Sequence, residues 1–283
     1  LRALCAYDVL GFHTPHDLAA FESCVREPII GGEVLDDRRV RVPGGELIAD
    51  VFPIGIDVDE LQNLAAEANG LRQVSGMVRS LAGRDLIIGV DRLDYSKGLM
   101  QRMLSYERLL QKYPNTQRSV TLMQIAPPTR AGVRAYDEIR RELEQVSGRI
   151  NGRFADSDWV PIRYLNKGIA RKPLMGFFRN AKVGLVTPVR DGMNLVAKEF
   201  VAAQNPENPG VLVLSSLAGA AYELKDAVIV NPHDRDDVAD GIANAVTMSL
   251  DERRARHTAM LDVLRKNDIG AWRRRFIEAL TKD

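Results

Sequence analysis

Cysteine is almost missing from this chain: Cys5 and Cys24 are the only two in 283 residues. So few, and both so close to the start, they make neither a disulfide framework nor a four-ligand zinc site, and a reduced thiol pair is the expected state. No apolar run reaches the roughly 18 residues that cross a bilayer, and no basic-then-apolar leader opens the chain, so a cytoplasmic location is expected. An excess of one charge is lacking too. With 39 basic against 38 acidic residues the formal net charge is +1, which argues against nucleic acid or a membrane surface as partner and makes any positive potential local. Neither a G-x-G-x-x-G nor a P-loop pattern occurs, so a dinucleotide dehydrogenase and a nucleoside triphosphatase both lack their usual fingerprint.

What is there is an ordinary globular composition, 45% hydrophobic and 27% charged, with enough chain for a large core and for more than one compact unit. Apolar strands alternate with amphipathic helices. Beyond Gly83 the pattern predicts strands at 86–90, 120–125, 162–164, 183–187, 211–214 and 227–230. Helices are expected at 100–112, 131–148, 172–180, 195–204 and 235–249. Strict alternation calls for a parallel sheet covered on both faces, hence a Rossmann-like domain. Before Gly83 the pattern gives a strand at Asp8–Phe12, a helix capped by Thr14 with Pro15 in its first turn, a hairpin within 33–53, and one helical stretch from Val58 to Leu81. The domain boundary is placed there. A chain opening on Leu1 enters its fold midway, and an N-terminally truncated fragment is expected.

Two segments carry the chemistry. Asp191-Gly192-Met193-Asn194-Leu195-Val196-Ala197-Lys198-Glu199 follows an apolar strand and opens a helix, so backbone amides and a positive dipole end face the mouth of a turn where an anion can dock. Asn194 is a natural N-cap, and Glu199 then projects from the helix's second turn. Capping by Asp191 and Asn194 and solvation of Glu199 would account for the same residues. A second segment, Val90-Asp91-Arg92-Leu93-Asp94-Tyr95-Ser96-Lys97-Gly98-Leu99, has the same strand-loop-helix character. It places Arg92 and Lys97 where two cations can clamp a diphosphate, at the strand's carboxyl end where open α/β sheets bind ligands. Asp234-Arg235-Asp236-Asp237 reads as a capped helix start and not as a metal motif.

VDRLDYSKGL at 90–99, QIAPPTR at 124–130, GRING at 148–152, GLVTPVRDGMNLVAKEFVAAQ at 184–204, VLVLSSLAGAAYEL at 211–224 and NPHD at 231–234 together resemble the trehalose-6-phosphate synthases. The likeness runs from YDVLGFHT at 7–14 to WRRRF at 272–276. It implies an α/β fold of the GT-B kind, two Rossmann-like domains with parallel sheets, the first incomplete in this chain. Residues 1–82 would belong to the first, acceptor-side domain and 83–265 to the nucleotide-sugar domain. The terminal helix, 266–283, would cross back to the first domain with Ile269, Trp272, Phe276, Ile277 and Leu280 as its apolar stripe.

The resemblance also implies roles. Arg92, Lys97 and Asp191 would be catalytic, the two cations neutralising the leaving diphosphate. Asp191 and the amides of Gly192, Met193 and Asn194 would hold the transferred glucose, Leu195 and Val196 would offer amides to the diphosphate, and Glu199 would accept the ribose hydroxyls. Arg130 would contact the acceptor phosphate. The implied reaction moves glucose from a nucleoside diphosphate glucose, most often UDP-glucose, to glucose 6-phosphate with retention by front-face attack. Donor and acceptor are then the partners, with no metal or other cofactor and with a homo-oligomer left open. The family's catalytic histidine has no match among His13, His16, His233 and His257, each of which reads as a surface residue. The fragment alone is expected to be inactive. A pseudo-glycosyltransferase joining cyclitols through nitrogen and a non-catalytic sugar-phosphate-binding regulatory subunit are the alternatives.

Overall fold

The computed structural model describes residues 1–35, 38–129 and 134–281. The chain divides into two compact units, Leu1–Asp57 with Leu264–Asp283, and Val58–Val263.

The first unit holds a four-stranded sheet of order β1-β4-β3-β2, made of β1 (Val9–Phe12), β2 (Glu33–Val34), β3 (Arg39–Val42) and β4 (Gly45–Val51). Strands β3 and β4 form the expected hairpin, while β1 runs parallel to β4 with Val9 opposite Ile48. Helix α1 (Pro15–Val25) starts where the sequence places it, Thr14 Oγ1 accepting from Asp17 N at 3.1 Å with Pro15 in the first turn. It buries Phe21 and Val25 against Val40, Leu47 and Ala49. The terminal helix, Ile269–Thr281, lies on β1. Phe276 meets Phe52 edge-on at 5.1 Å between ring centroids, and Trp272 Nε1 donates to Phe52 O at 3.2 Å. Its stripe is narrower than expected. Ile277 and Leu280 remain half exposed, at 50% and 51%, so Trp272 and Phe276 provide the aromatic packing against Phe52.

The second unit begins earlier than the expected boundary near Gly83. The single helical stretch of the sequence is two helices, α2 (Val58–Ala68) and α3 (Arg72–Ser80), and both pack on α6 (Arg171–Arg179) of this unit. The approach is close: a Cβ on Gly176 would lie 2.6 Å from Val74 Cγ2 and 2.8 Å from Ala68 Cβ. Side-chain packing of this kind, which an apolar period cannot assign to a partner, moves the boundary to Asp57.

Six strands form the sheet of this unit: β5 (Asp85–Val90), β6 (Val120–Ile125), β7 (Ile162–Leu165), β8 (Val183–Val186), β9 (Val211–Ser215) and β10 (Val228–Val230). All pairings are parallel and the order is β10-β9-β8-β5-β6-β7. The chain thus lays strands outward from β5 to one edge, returns to the middle, and lays β8 to β10 toward the other. The reversal falls between β5 and β8, where the recorded pairing covers only Ile87–Val183 and Ile88–Gly184. Such a switch point opens a crevice at the strands' carboxyl ends.

The remaining helices, α4 (Leu99–Lys112), α5 (Arg134–Phe154), α7 (Leu195–Ala203), α8 (Arg235–Thr247) and α9 (Leu250–Lys266), complete the layers. Strand residues Ile87, Leu122, Leu185 and Val213 and helix residues Met103, Leu109, Val238 and Ile242 share one buried cluster. Helix α5 runs past Gly148, where the sequence ends it. No described residue crowds Gly148 or Gly152, Ile150 is fully buried, and Arg149 donates twice to Glu107, at 2.6 and 2.8 Å, so tertiary contacts carry the helix through two poor helix formers. Asp234 caps α8 as expected, its Oδ1 accepting from Asp236 N and Asp237 N. His257 is not a surface residue: it is buried on α9, its Nε2 3.1 Å from Val201 O. Among the described residues no helix is long and apolar enough to cross a membrane.

Candidate active site

The loops after β5 and β8 flank the switch point, and they are bound to each other. Asp94 Oδ1 accepts from Ser96 N at 2.9 Å and caps the 3-10 turn Tyr95–Lys97. Against the upward push of partial burial, the Ser96 hydrogen bonds and the charges of Lys97 and Arg92 hold the Asp94 carboxyl below its ordinary value. Gly98 follows with φ +63°, and a Cβ there would stand 2.6 Å from Thr187 O. Only glycine combines that backbone angle with that approach. From the other loop, Val189 N and Arg190 N both donate to Ser96 O, at 3.0 and 3.2 Å.

The second loop ends in Asn194, which takes φ +79° and caps α7 by accepting from Ala197 N at 3.0 Å. Its amide also donates to Asp191 Oδ2 at 3.0 Å. Lys97 Nζ donates to the same oxygen at 2.6 Å, with both side chains largely buried. Asp191 is fixed through its backbone as well: its N–H donates to Leu217 O and its carbonyl accepts from Gly219 N. Met193 is buried and its carbonyl accepts from Ala220 N. The amides of Gly192, Leu195 and Val196 donate to no described residue, so the α7 N-terminus presents free donors beside the Lys97–Asp191 pair.

Glu199 projects from the second turn of α7, half-buried and without a hydrogen bond or ion pair to any described residue. Burial pushes its carboxyl above the ordinary value, partly offset by the charge of Arg171. Arg92 shares the loop with Lys97 but is exposed, with no ion-pair partner among the described residues. Lys97 and Asn194 therefore both meet Asp191 directly, whereas Arg92 and Glu199, on the same two elements, make no hydrogen bond or ion pair with a described residue. Arg130 lies outside the described residues.

Sequence reasoning missed a buried layer beneath these loops. Arg102 of α4, with Asp91, Gln124 and Thr187, forms an enclosed polar cluster, and Lys198 of α7 pairs with Glu223 at 2.5 Å. Two signals were available: a glutamine inside the mostly apolar strand 120–125, and Gly89 inside β5, where a Cβ would meet Gln124 Oε1 at 2.7 Å and Arg102 Nη1 at 2.9 Å. Among the described residues no three metal-ligating side chains cluster.

A parallel sheet with its order reversed at β5/β8, and these loops at that point, places the protein in the α/β class of GT-B type. The chain belongs to glycosyltransferase family 20, whose model matches residues 1–282. It is 50% identical to the trehalose-6-phosphate synthase of Klebsiella pneumoniae subsp. pneumoniae over 286 aligned positions that cover 99% of this chain and 59% of that protein. A Burkholderia xenovorans alpha,alpha-trehalose-phosphate synthase (UDP-forming) in complex with glucose-6-phosphate matches with a TM-score of 0.96 and 49% identity, over 99% of this chain and 62% of that one. An E. coli structure bound with UDP-2-fluoro glucose matches with a TM-score of 0.95 and 48% identity, over the same shares. The chain thus spans about three fifths of the length of these relatives.

Proposed function

We propose that this chain carries the donor-binding half of a UDP-glucose:glucose 6-phosphate glucosyltransferase that forms trehalose 6-phosphate. The observation that carries the reading is the Lys97–Asp191 contact at 2.6 Å, across the switch point and beside the unpaired amides of α7. A cation and free amides suit a diphosphate, and a carboxylate held at their edge suits sugar hydroxyls. Arg92 adds a second cation in the same loop. Glu199, a half-buried acceptor with no hydrogen-bond donor among the described residues, suits the ribose diol. Arg130 is assigned to the acceptor phosphate on the resemblance of QIAPPTR alone.

In this reading the glycosidic C–O bond to the donor breaks as charge grows on the departing diphosphate, where Arg92, Lys97 and the Leu195 and Val196 amides stabilise it. The acceptor hydroxyl attacks from the same face and gives its proton to the departing phosphate oxygen, which retains the donor configuration. UDP and trehalose 6-phosphate are the products. No metal takes part in this scheme.

Calorimetric titration of the protein with UDP tests the donor assignment. Saturable binding, weakened by about tenfold to a hundredfold in Lys97→Ala, is expected; absence of heat and of any thermal shift at millimolar UDP, with the protein folded, would remove the basis of the reading.

A further inference from the structure

We propose that Arg102 is a positioning residue for the nucleotide site: its guanidinium, from the first turn of α4, fixes the two loops that bring Lys97 to Asp191. The inference rests on the function proposed above.

The Arg102 side chain is wholly enclosed and touches four separate pieces of chain. Nη1 pairs with Asp91 Oδ2 at 2.7 Å, at the end of β5, and donates to Gln124 Oε1 at 3.1 Å in β6. Nε donates to Thr187 Oγ1 at 3.0 Å, just past β8. Nη2 reaches the carbonyl of Lys97 itself at 3.5 Å. Gly89 leaves the room for this packing, since a Cβ there would strike both Arg102 and Gln124. One planar, rigid fork thus spans the strand ends on both sides of the switch point and the backbone of the residue that carries the cation.

An ammonium would not reproduce this. It presents its donors from a single atom and lacks the fixed divergence of the guanidinium. Arg102→Lys therefore keeps a charge beside Asp91 while releasing Thr187 and the Lys97 carbonyl. Thr187→Val, a milder change, removes one acceptor and leaves the Asp91 pair intact.

The test reads loop order and nucleotide affinity in the intact protein. Hydrogen exchange is followed at the Val189 and Arg190 amides, which donate to Ser96 O across the two loops, with Val213 in β9 as reference. Arg102→Lys is expected to speed exchange at both by about tenfold and leave the reference within about twofold, with a smaller change of the same sign for Thr187→Val. UDP affinity is expected to fall by about tenfold in Arg102→Lys, yet by under about twofold when the same change is made on Lys97→Ala, because the effect passes through Lys97.

Unchanged exchange in both variants overturns the inference. So does an equal loss of UDP affinity in both backgrounds, the mark of a purely structural residue. If Arg102→Lys does not fold, Thr187→Val decides on the same readings. A wild-type protein that binds no UDP would sink the functional reading alone, and the exchange result would still decide whether Arg102 fixes the loops.

Discussion

Lys97 Nζ lies 2.6 Å from Asp191 Oδ2, although 94 positions of sequence separate the two residues. Each stands in the loop after a different strand, and only the reversal of strand order between β5 and β8 makes them neighbours. The pair also has a chemical tension. The cation is proposed to serve a diphosphate and the carboxylate a sugar, so in the free protein each occupies the other's ligand-binding valence.

That tension predicts opposite effects for the two partners. Lys97→Ala removes a charge-assisted contact worth roughly 1.5 to 3 kcal/mol, so UDP should bind about tenfold to a hundredfold more weakly. Asp191→Asn removes a negative charge from beside the diphosphate and frees Lys97, so UDP should bind as well as before or up to about tenfold tighter. Transfer by the whole protein should nevertheless fall by about a hundredfold or more, because glucose loses the ionised acceptor of its hydroxyl hydrogen bonds and meets an amide donor in place of one carboxylate oxygen. Calorimetry with UDP and turnover of UDP-glucose separate the two. Equal weakening of UDP by both variants would contradict the division of labour.

Glu199 should show a conflict between stability and binding. Its carboxyl is raised by burial in the folded chain, so the folded state holds the proton more tightly than the unfolded one. Stability then falls as pH rises from the ordinary carboxylate value through the raised one. Glu199→Gln should accordingly raise Tm at neutral pH, a gain that vanishes at pH values below the ordinary carboxylate range. The same change should weaken UDP by about 1.5 to 3 kcal/mol, since hydroxyls donate best to the ionised form. Arg130→Ala, assigned to the acceptor, should alter UDP affinity far less. Melting curves across pH and UDP titrations of both variants read these outcomes.

From β5 to α8 the order of strands and helices was readable in the sequence because buried parallel strands are apolar runs, such as 211–214, and amphipathic helices keep their period, whereas α9, which opens on the charged run Asp251-Glu252-Arg253-Arg254, was not placed. The caps at Thr14, Asn194 and Asp234 were readable for the same local reason. Partner choice was not. That α2 and α3 join the second unit depends on Gly176 admitting Val74 and Ala68, and that His257 is buried depends on α9 docking over Val201. The site residues could be listed from their motifs, yet the direct Lys97–Asp191 contact and the Arg102 cluster needed the sheet order, which no local pattern encodes.

Glu107 predicts the acid limb of stability. The hydrogen bonds from Arg149, helped by Arg153 and opposed by partial burial, hold its carboxyl below the ordinary value. A depressed folded value contributes stability above the ordinary carboxylate range, and that contribution is lost as pH falls through the depressed one. Glu107→Gln should cost about 1 kcal/mol at pH 7, below the roughly 1.5 to 3 kcal/mol of an enclosed hydrogen-bonded charge because Arg149 is half exposed and rehydrates. Denaturant unfolding at pH 7 and near pH 3 checks the sign: the gap between wild type and variant should shrink on acidification.

Gly98 ties stability and site geometry together most directly. Its φ of +63° is strained for any other residue, and a Cβ would sit 2.6 Å from Thr187 O, a backbone atom with no freedom to swing aside. The left-handed conformation alone costs an alanine about 1 kcal/mol, and the clash adds to it by pushing the Lys97 loop off the loop after β8. Gly98→Ala should therefore destabilise by about 2 kcal/mol or more. It should also lengthen the Lys97–Asp191 contact, since Ser96 O would move away from the amides of Val189 and Arg190 that hold the loops in register. UDP affinity should fall by at least about tenfold even at temperatures where the variant is fully folded. A folded Gly98→Ala protein with wild-type UDP affinity would show that the close packing of the two loops is structural and does not set the nucleotide site.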